Sequence, residues 1–290
     1  MDSKTSKMKV GIVCCSLSLN TKRALEYVAN EIGGEVHVCL NFAEIEKRGF
    51  EHYEPMIQQL NECDILGVGS LAWAATIPLF FEEALNSMPF DSLNKPYYLI
   101  AAHAGGPGRV CAHIHRLFRS YGNERCAGWI NVKGPNNMPA NLRKYRFDRV
   151  QWNFPPKNLM SYPEQVIKNL EEENWVVPPY RAILKLVQWA RRPGVMRMLS
   201  ANVSMDHDKC IGCNKCVDVC IVGSLVKNDD PDNKVPIYVA DTCIGCQCCV
   251  NVCPVDAFEH NNRVRWDYWR KDALVQLTDV DDEQIYTGPL

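Results

Sequence analysis

The first part of the chain alternates short apolar runs with segments of helical periodicity. Lys9–Cys14 is apolar apart from its first residue, the pattern of a strand buried on both faces. In Thr21–Ile32 the residues Ala24, Leu25, Val28, Ala29 and Ile32 fall on one helical face, and Gly33-Gly34 ends the run. The pattern continues with a strand at Glu35–Leu40, a short helix at Tyr53–Leu60 and a strand at Ile65–Gly69. A helix at Leu79–Asn86, opened by Pro78, is followed by a strand at Tyr97–Ala102, a helix at Arg109–Ser120 and a strand at Ala127–Val132. This order predicts an α/β domain over residues 1–135. It would be a doubly wound, five-stranded parallel sheet that binds ligands at the carboxyl ends of its strands.

Residues 136–200 lose that rhythm. Pro- and Asn-rich turns separate two predicted helices, Pro163–Asn174 and Tyr180–Arg191, and the stretch reads as a connector. Its basic end, Arg191, Arg192 and Arg197, is either a solvated helix end or a docking patch for an acidic redox partner. Residues 201–260 form a cysteine-rich module. Residues 261–290 mix aromatics with acids and read as a tail that packs across a domain or docks a partner.

A chain of 290 residues favours two domains. The net charge of −2 removes the main reason to expect nucleic acid as a partner. No apolar run approaches the ~20 residues that span a bilayer, so no direct membrane insertion is expected. The opening segment lacks signal-peptide order, and a cytoplasmic location is expected. Cysteine is the outlier, with 15 residues. Cys14, Cys15, Cys39, Cys63, Cys111 and Cys126 are scattered, while the rest crowd between Cys210 and Cys253. Such clustering reads as metal ligation in a reducing compartment, the cytoplasm of an anaerobe.

Two runs organise the cluster. Cys210, Cys213, Cys216 and Cys220 form one, and Cys243, Cys246, Cys249 and Cys253, followed by Pro254, form the other. Both have the C-x2-C-x2-C-x3-C spacing in which three thiolates wrap one cubane and the fourth reaches the neighbouring one. Cys210, Cys213, Cys216 and Cys253 are therefore assigned to one [4Fe–4S] cluster, and Cys243, Cys246, Cys249 and Cys220 to the other. Gly212 and Gly245 allow the tight turns. Zinc, the competing reading, prefers paired CxxC knuckles and fits two tripled runs poorly. Ile221 stands where the first run would have its proline. Cys248 is off the motif spacing and reads as a small buried residue near the sulfurs.

Three loops lie at predicted strand ends. Ser16, Ser18, Asn20 and Thr21 precede or open a helix, which makes either an anion cradle or a plain N-cap. Ser70, Leu71, Ala72 and Trp73 put an aromatic at the sheet edge, as a stacking plate or as core. His103, Gly105 and Gly106 belong to a Gly-rich loop that lets backbone approach a flat ligand. Together they fit flavin mononucleotide (FMN). His113 and His115 follow on the next helix and are not needed as ligands. There is no P-loop lysine, no G-x-G-x-x-G in a first βα turn and no legible Ser/His/Asp order, so nucleoside triphosphate and a direct NAD(P)H site are unsupported.

The first domain resembles flavodoxin, whose loop runs Ser/Thr-x-Ser/Thr-Gly-Asn-Thr; Ser16, Ser18, Asn20 and Thr21 match it. The segment GVGSLAWAATIP is similar to the flavodoxin pattern around the second flavin loop. A flavodoxin-like domain, a connector and two cubane runs in sequence resemble the flavodoxin–ferredoxin fusion proteins. The resemblance implies a flavodoxin-like sheet plus a small α+β dicluster ferredoxin domain, holding FMN and two [4Fe–4S] clusters. It also implies electron transfer to or from a protein redox partner, a ferredoxin or a larger oxidoreductase. The alternatives are a flavin-dependent reductase of a small organic substrate, with His103 as the best candidate acid, and an electron-transfer subunit of a larger complex. Leu19 replaces the loop glycine, and a displaced or weakly held flavin is the expected consequence.

Overall fold

The structure is a computed structural model, and it describes residues 7–17, 19–73, 75–103, 106–133, 154–180, 203–230, 233–239, 242–244, 246, 248–255 and 257–260. Five parallel strands, β1 (Met8–Cys15), β2 (Gly34–Asn41), β3 (Ile65–Leu71), β4 (Tyr97–His103) and β5 (Cys126–Lys133), form one sheet in the order β2-β1-β3-β4-β5. That is the flavodoxin-like doubly wound order. Each apolar run became a strand a residue or two longer than its periodicity predicts, because backbone pairing continues past the last buried side chain.

Along the strands, alternate residues feed two cores. Val10, Ile12 and Cys14 of β1, with Tyr98 and Ile100 of β4, face α1 (Asn20–Glu31). Val13 and Cys15, with Tyr97, Leu99 and Ala101, face the opposite side. There they meet the short helices α2 (Ile45–Arg48), α3 (Glu54–Gln59), α4 (Leu79–Ser87) and α5 (Phe90–Leu93), and α6 (Val110–Ser120). Both faces are dry, which explains why the strands read as nearly continuous apolar runs.

The connector departs from expectation. Its helices α7 (Lys157–Met160) and α8 (Tyr162–Glu171) belong to the first domain. Leu159, Tyr162 and Val166 are buried in the same core as α1. Tyr162 donates its hydroxyl to the Leu99 carbonyl (3.3 Å), and Asn169 donates to Ala127 (2.8 Å). The physical reason is that β4 and β5 need a helix on this face, and nothing before residue 135 supplies it. The predicted helix Tyr180–Arg191, the basic end of the connector and the tail 261–290 lie outside the described residues, save for Tyr180 itself.

The second domain repeats a strand–turn–strand pattern. β6 (Val203–Met205) pairs antiparallel with β9 (Phe258–His260), and β7 (Leu225–Val226) with β8 (Ile237–Tyr238). One helical turn, Lys215–Asp218, carries the third cysteine of the first run, Cys216, and another, Cys248–Val252, carries the third of the second run, Cys249. Its small core is made of Cys216, Cys220, Leu225, Cys253, Ala257 and Phe258. Among the described residues no helix is long and apolar enough to cross a membrane.

Candidate functional site

The carboxyl ends of β1, β3, β4 and β5 are level. Cys15 pairs with Ser70, Leu71 with Ala102 and His103 with Lys133. The loops after β1, β3 and β4 therefore leave the sheet from one edge, where the strand order reverses between β1 and β3.

In the first loop, Ser16 is buried. Its amide donates to Asn41 Oδ1 (2.8 Å), Asn41 Nδ2 donates back to the Ser16 carbonyl (3.0 Å), and its hydroxyl accepts from the Lys22 amide (3.2 Å). Ser16 thus fixes the loop. Leu19 sits at φ 59° and ψ −4°, so the left-handed turn usually assigned to glycine persists despite the leucine. Asn20 opens α1. Thr21 is buried, with its methyl against the flat face of Gly69, where a Cβ would lie 2.9 Å from it. The N-cap residue Leu19 offers no side-chain cap, although Ser16 reaches back to an α1 amide, and the first turn carries no acid but holds Lys22 and Arg23. Helix dipole and side chains both favour an anion there. Ser18 and Gly105 lie outside the described residues.

The second loop is less open than expected. Ser70 is fully buried and donates its hydroxyl to the Leu71 carbonyl (2.9 Å). The Ala72 amide is spent on Ala102 (2.8 Å). Trp73 closes a tight turn with Thr76 through two backbone hydrogen bonds (2.7 and 3.0 Å). Its ring was expected to offer a plate, yet Trp73 is only 3 % exposed, buried with Ile221 and Ile244 of the second domain. The reason is apolar: two branched side chains cover the indole where water would otherwise meet it.

At the end of β4, His103 Nδ1 is buried with no hydrogen-bond partner among the described residues. Burial, and then Lys133, hold its imidazole below the usual value, so it is neutral at pH 7. Gly106 has nothing within 4 Å of the place a Cβ would take. Sequence reasoning missed Arg109, although it directly follows the Gly-rich loop. It is buried, donates Nη1 to the Tyr180 hydroxyl (2.7 Å), and keeps Nε and Nη2 unpartnered among the described residues. His113 and His115 have structural partners: His113 bonds Thr76 (2.6 Å) and Glu82 (3.2 Å), and His115 bonds Tyr97 (2.7 Å).

The second domain gathers the motif cysteines around two hollows. One is lined by Cys210, Cys213, Cys216 and Cys253, the other by Cys220, Cys243, Cys246 and Cys249. Each fourth cysteine comes from the opposite run. Gly212 takes φ +69°, and a Cβ there would fall 2.6 Å from Lys234. Cys248 joins the second hollow, and its hydrogen bond lowers the Cys246 thiol while its own is raised. Burial, then the neighbours Cys210 and Cys213, push Cys216 up to about 11. Thiols that resist ionising beside one another become thiolates together when a cation neutralises them. The Ala257 amide donates to Cys253 Sγ (3.3 Å), a contact of the kind that tunes a cluster, and nothing in the cysteine spacing announces it. Among the described residues no three His, Cys, Asp or Glu side chains are grouped to hold a single ion.

The two domains touch beside these sites. Trp73, Ile221 and Ile244 form a buried cluster, with Leu17, Leu71, Phe80, Val222 and Cys246 packed around it. Lys47 Nζ donates to the carbonyls of Val217 (3.1 Å) and Asp218 (2.7 Å), at the end of the first cluster-domain turn.

Residues 201–259 match the family described as a 4Fe-4S dicluster domain. No curated protein matches the chain. Among solved structures, a flavodoxin from the domain Archaea is 18% identical, with a TM-score of 0.38, covering 57% of this chain and 98% of its own. An apo NADH:FMN oxidoreductase is 13% identical, with a TM-score of 0.42, over 60% and 92%. The two-electron reduced flavodoxin of Megasphaera elsdenii is 19% identical, with a TM-score of 0.34, over 45% and 90%. Strand order, not these distant likenesses, makes the first domain flavodoxin-like.

Proposed function

We propose that this chain, a flavodoxin-like domain joined to a 4Fe-4S dicluster domain, is an electron-transfer protein. It relays electrons between FMN and two [4Fe–4S] clusters, to or from a protein redox partner in a reducing cytoplasm. The observation that carries the reading is the pair of four-cysteine hollows, one of which, that of Cys220, Cys243, Cys246 and Cys249, meets the ligand edge of a doubly wound sheet. When bound, flavin and clusters supply two- and one-electron redox chemistry.

The residues fit both groups. Eight cysteines surround two hollows, and Gly212 leaves room for the turn. At the sheet edge, the α1 N-terminus, whose N-cap Leu19 has no capping side chain and whose first turn holds Lys22 and Arg23, suits a phosphate. His103 Nδ1 and Arg109 Nε and Nη2, which have no hydrogen-bond partner among the described residues, are buried polar atoms that a polar ring system would satisfy. Trp73 serves differently from a stacking plate, since its ring is taken up at the domain contact. A neutral His103 is a poor proton donor at pH 7, which weighs against the small-substrate reductase.

Anaerobic purification with flavin, iron and sulfide counted per chain tests the reading. About eight iron and eight sulfide, with one FMN, are expected. Zinc in place of iron, or a chain that takes up no flavin, overturns it.

A further inference from the structure

The duplicated cysteine runs are not used alike. Ile211 and Ile244 each follow the first cysteine of a run, and Ile221 and Pro254 each follow the last. In one pair, Ile244 and Ile221, the side chains are 6% and 3% exposed, buried against Trp73. In the other, Ile211 is 62% exposed, and Pro254 is exposed as well. Cys213, beside Ile211, is exposed, and its counterpart Cys246 packs against the Trp73 cluster. The departure from proline at position 221 has a use here: isoleucine offers a branched apolar side chain to the indole.

We propose that the hollow of Cys220, Cys243, Cys246 and Cys249 is the inner station, wired to the flavodoxin-like domain through Trp73, Ile221 and Ile244, and that the Ile211–Pro254 face over the other hollow docks an external one-electron carrier protein. This inference rests on the redox reading above. The duplicate face indicates what such a partner presents. Inside the chain, the equivalent surface is met by an aromatic loop at a cofactor edge, flanked by Lys47 on backbone carbonyls. The partner is therefore a flavodoxin-type protein with an aromatic and a lysine beside its cofactor. A second copy of this chain cannot supply its own Trp73 loop, which is already covered. With flavin at the sheet edge and clusters held by the two sets of cysteines, one electron would pass from reduced flavin to the cluster of Cys220, Cys243, Cys246 and Cys249, then to that of Cys210, Cys213, Cys216 and Cys253, then to the oxidised carrier. Each donor loses what the next acceptor gains, and no bond or proton moves. Tunnelling falls steeply with separation, so packed side chains between the inner hollow and the sheet edge favour that order.

The test uses the holoprotein, reduced anaerobically, with oxidised flavodoxin as protein acceptor and benzyl viologen as small acceptor. Ile211→Asp, retaining iron, sulfide and flavin, should slow transfer to flavodoxin at least about tenfold more than transfer to viologen, roughly a 1.4 kcal/mol selective loss. Trp73→Ala and Ile244→Ser should slow flavin–cluster equilibration in stopped flow and raise hydrogen exchange at residues 71–76 and 217–222 together. Equal slowing of both acceptors by the Ile211 change overturns the outer face. Unaltered equilibration and exchange in the Trp73 and Ile244 variants overturns the inner contact. A dimer abolished by Ile211→Asp in sedimentation would make the face a self-interface and also overturn the proposal. A wild-type chain lacking flavin or iron would instead sink the redox reading beneath it.

Discussion

Thr76 Oγ1 and His113 Nδ1 lie 2.6 Å apart, in the interior, joining the loop after β3 to helix α6. The other ring nitrogen reaches Glu82 Oε1 of α4 at 3.2 Å. One imidazole thereby holds three elements around the turn that carries Trp73. Thr76→Val keeps the shape but strands the histidine nitrogen. It should cost about 1–3 kcal/mol in urea unfolding. His113→Gln, which can still accept or donate at one end, should lose less, and equal losses would count against the hydrogen-bond account.

Leu19 holds a left-handed backbone at φ 59°. That conformation costs a non-glycine residue about 1–2 kcal/mol, while glycine adds about 0.5–1 kcal/mol of unfolded-state entropy. Leu19→Gly should leave the domain as stable or up to about 1.5 kcal/mol more stable. It should tighten flavin binding in a fluorescence-quenching titration. A weaker complex would show that the leucine side chain itself helps to hold the ligand.

Burial, and then Lys133, depress His103 in the folded chain. The folded state therefore prefers the neutral ring more than the unfolded chain does. Its contribution to stability is complete above the ordinary value of 6.5 and is lost as pH falls from there toward the folded value. An NMR titration of the apoprotein should find the His103 midpoint below 6.5, moving upward in Lys133→Met. A midpoint at or above 6.5 in the native chain would contradict the burial argument.

The scattered cysteines differ sharply in reactivity. Cys39 is lowered by its hydrogen bond with Cys14 and by Lys22, whereas burial pushes Cys63 up to about 11 and raises Cys15 further. Brief iodoacetamide treatment of the native holoprotein, read by mass spectrometry, should label Cys39 ahead of Cys15, Cys63, Cys111 and Cys126. Faster labelling of Cys15 would mean that β1 is open in solution.

Leu159 lies wholly inside the core shared by α1 and β1. Leu159→Ala should cost about 2–5 kcal/mol in denaturant unfolding of the first domain. A loss near zero would return α7 and α8 to the role of a loose connector.

Periodicity found all five strands because both sheet faces are dry, and apolar runs such as Lys9–Cys14 then have no competing reading. The cysteine spacing likewise anticipated which thiols face each hollow, since three residues on a tight loop and a fourth on the following turn leave little geometric choice. The helix after β5 was recognised, but its membership was not. Pro- and Asn-rich turns beside it look the same whether the chain leaves a domain or folds back onto it. Trp73 stands at the expected sheet edge, but Ile221 and Ile244, which cover it, come from a distant part of the sequence where local pattern carries no signal. Arg109 is not legible in the sequence because a single arginine carries no periodic signal, and only its burial gives it meaning.

The Val176 amide donates to the Cys126 carbonyl at 2.8 Å, which ties the segment after α8 to the start of β5. The seam between the halves of the chain is thus later than the last strand suggests. Anyone grafting a different electron-carrying module onto this scaffold should splice beyond Val176. A cut at the end of β5 would strip one flank of the sheet and spoil the host rather than exchange the guest.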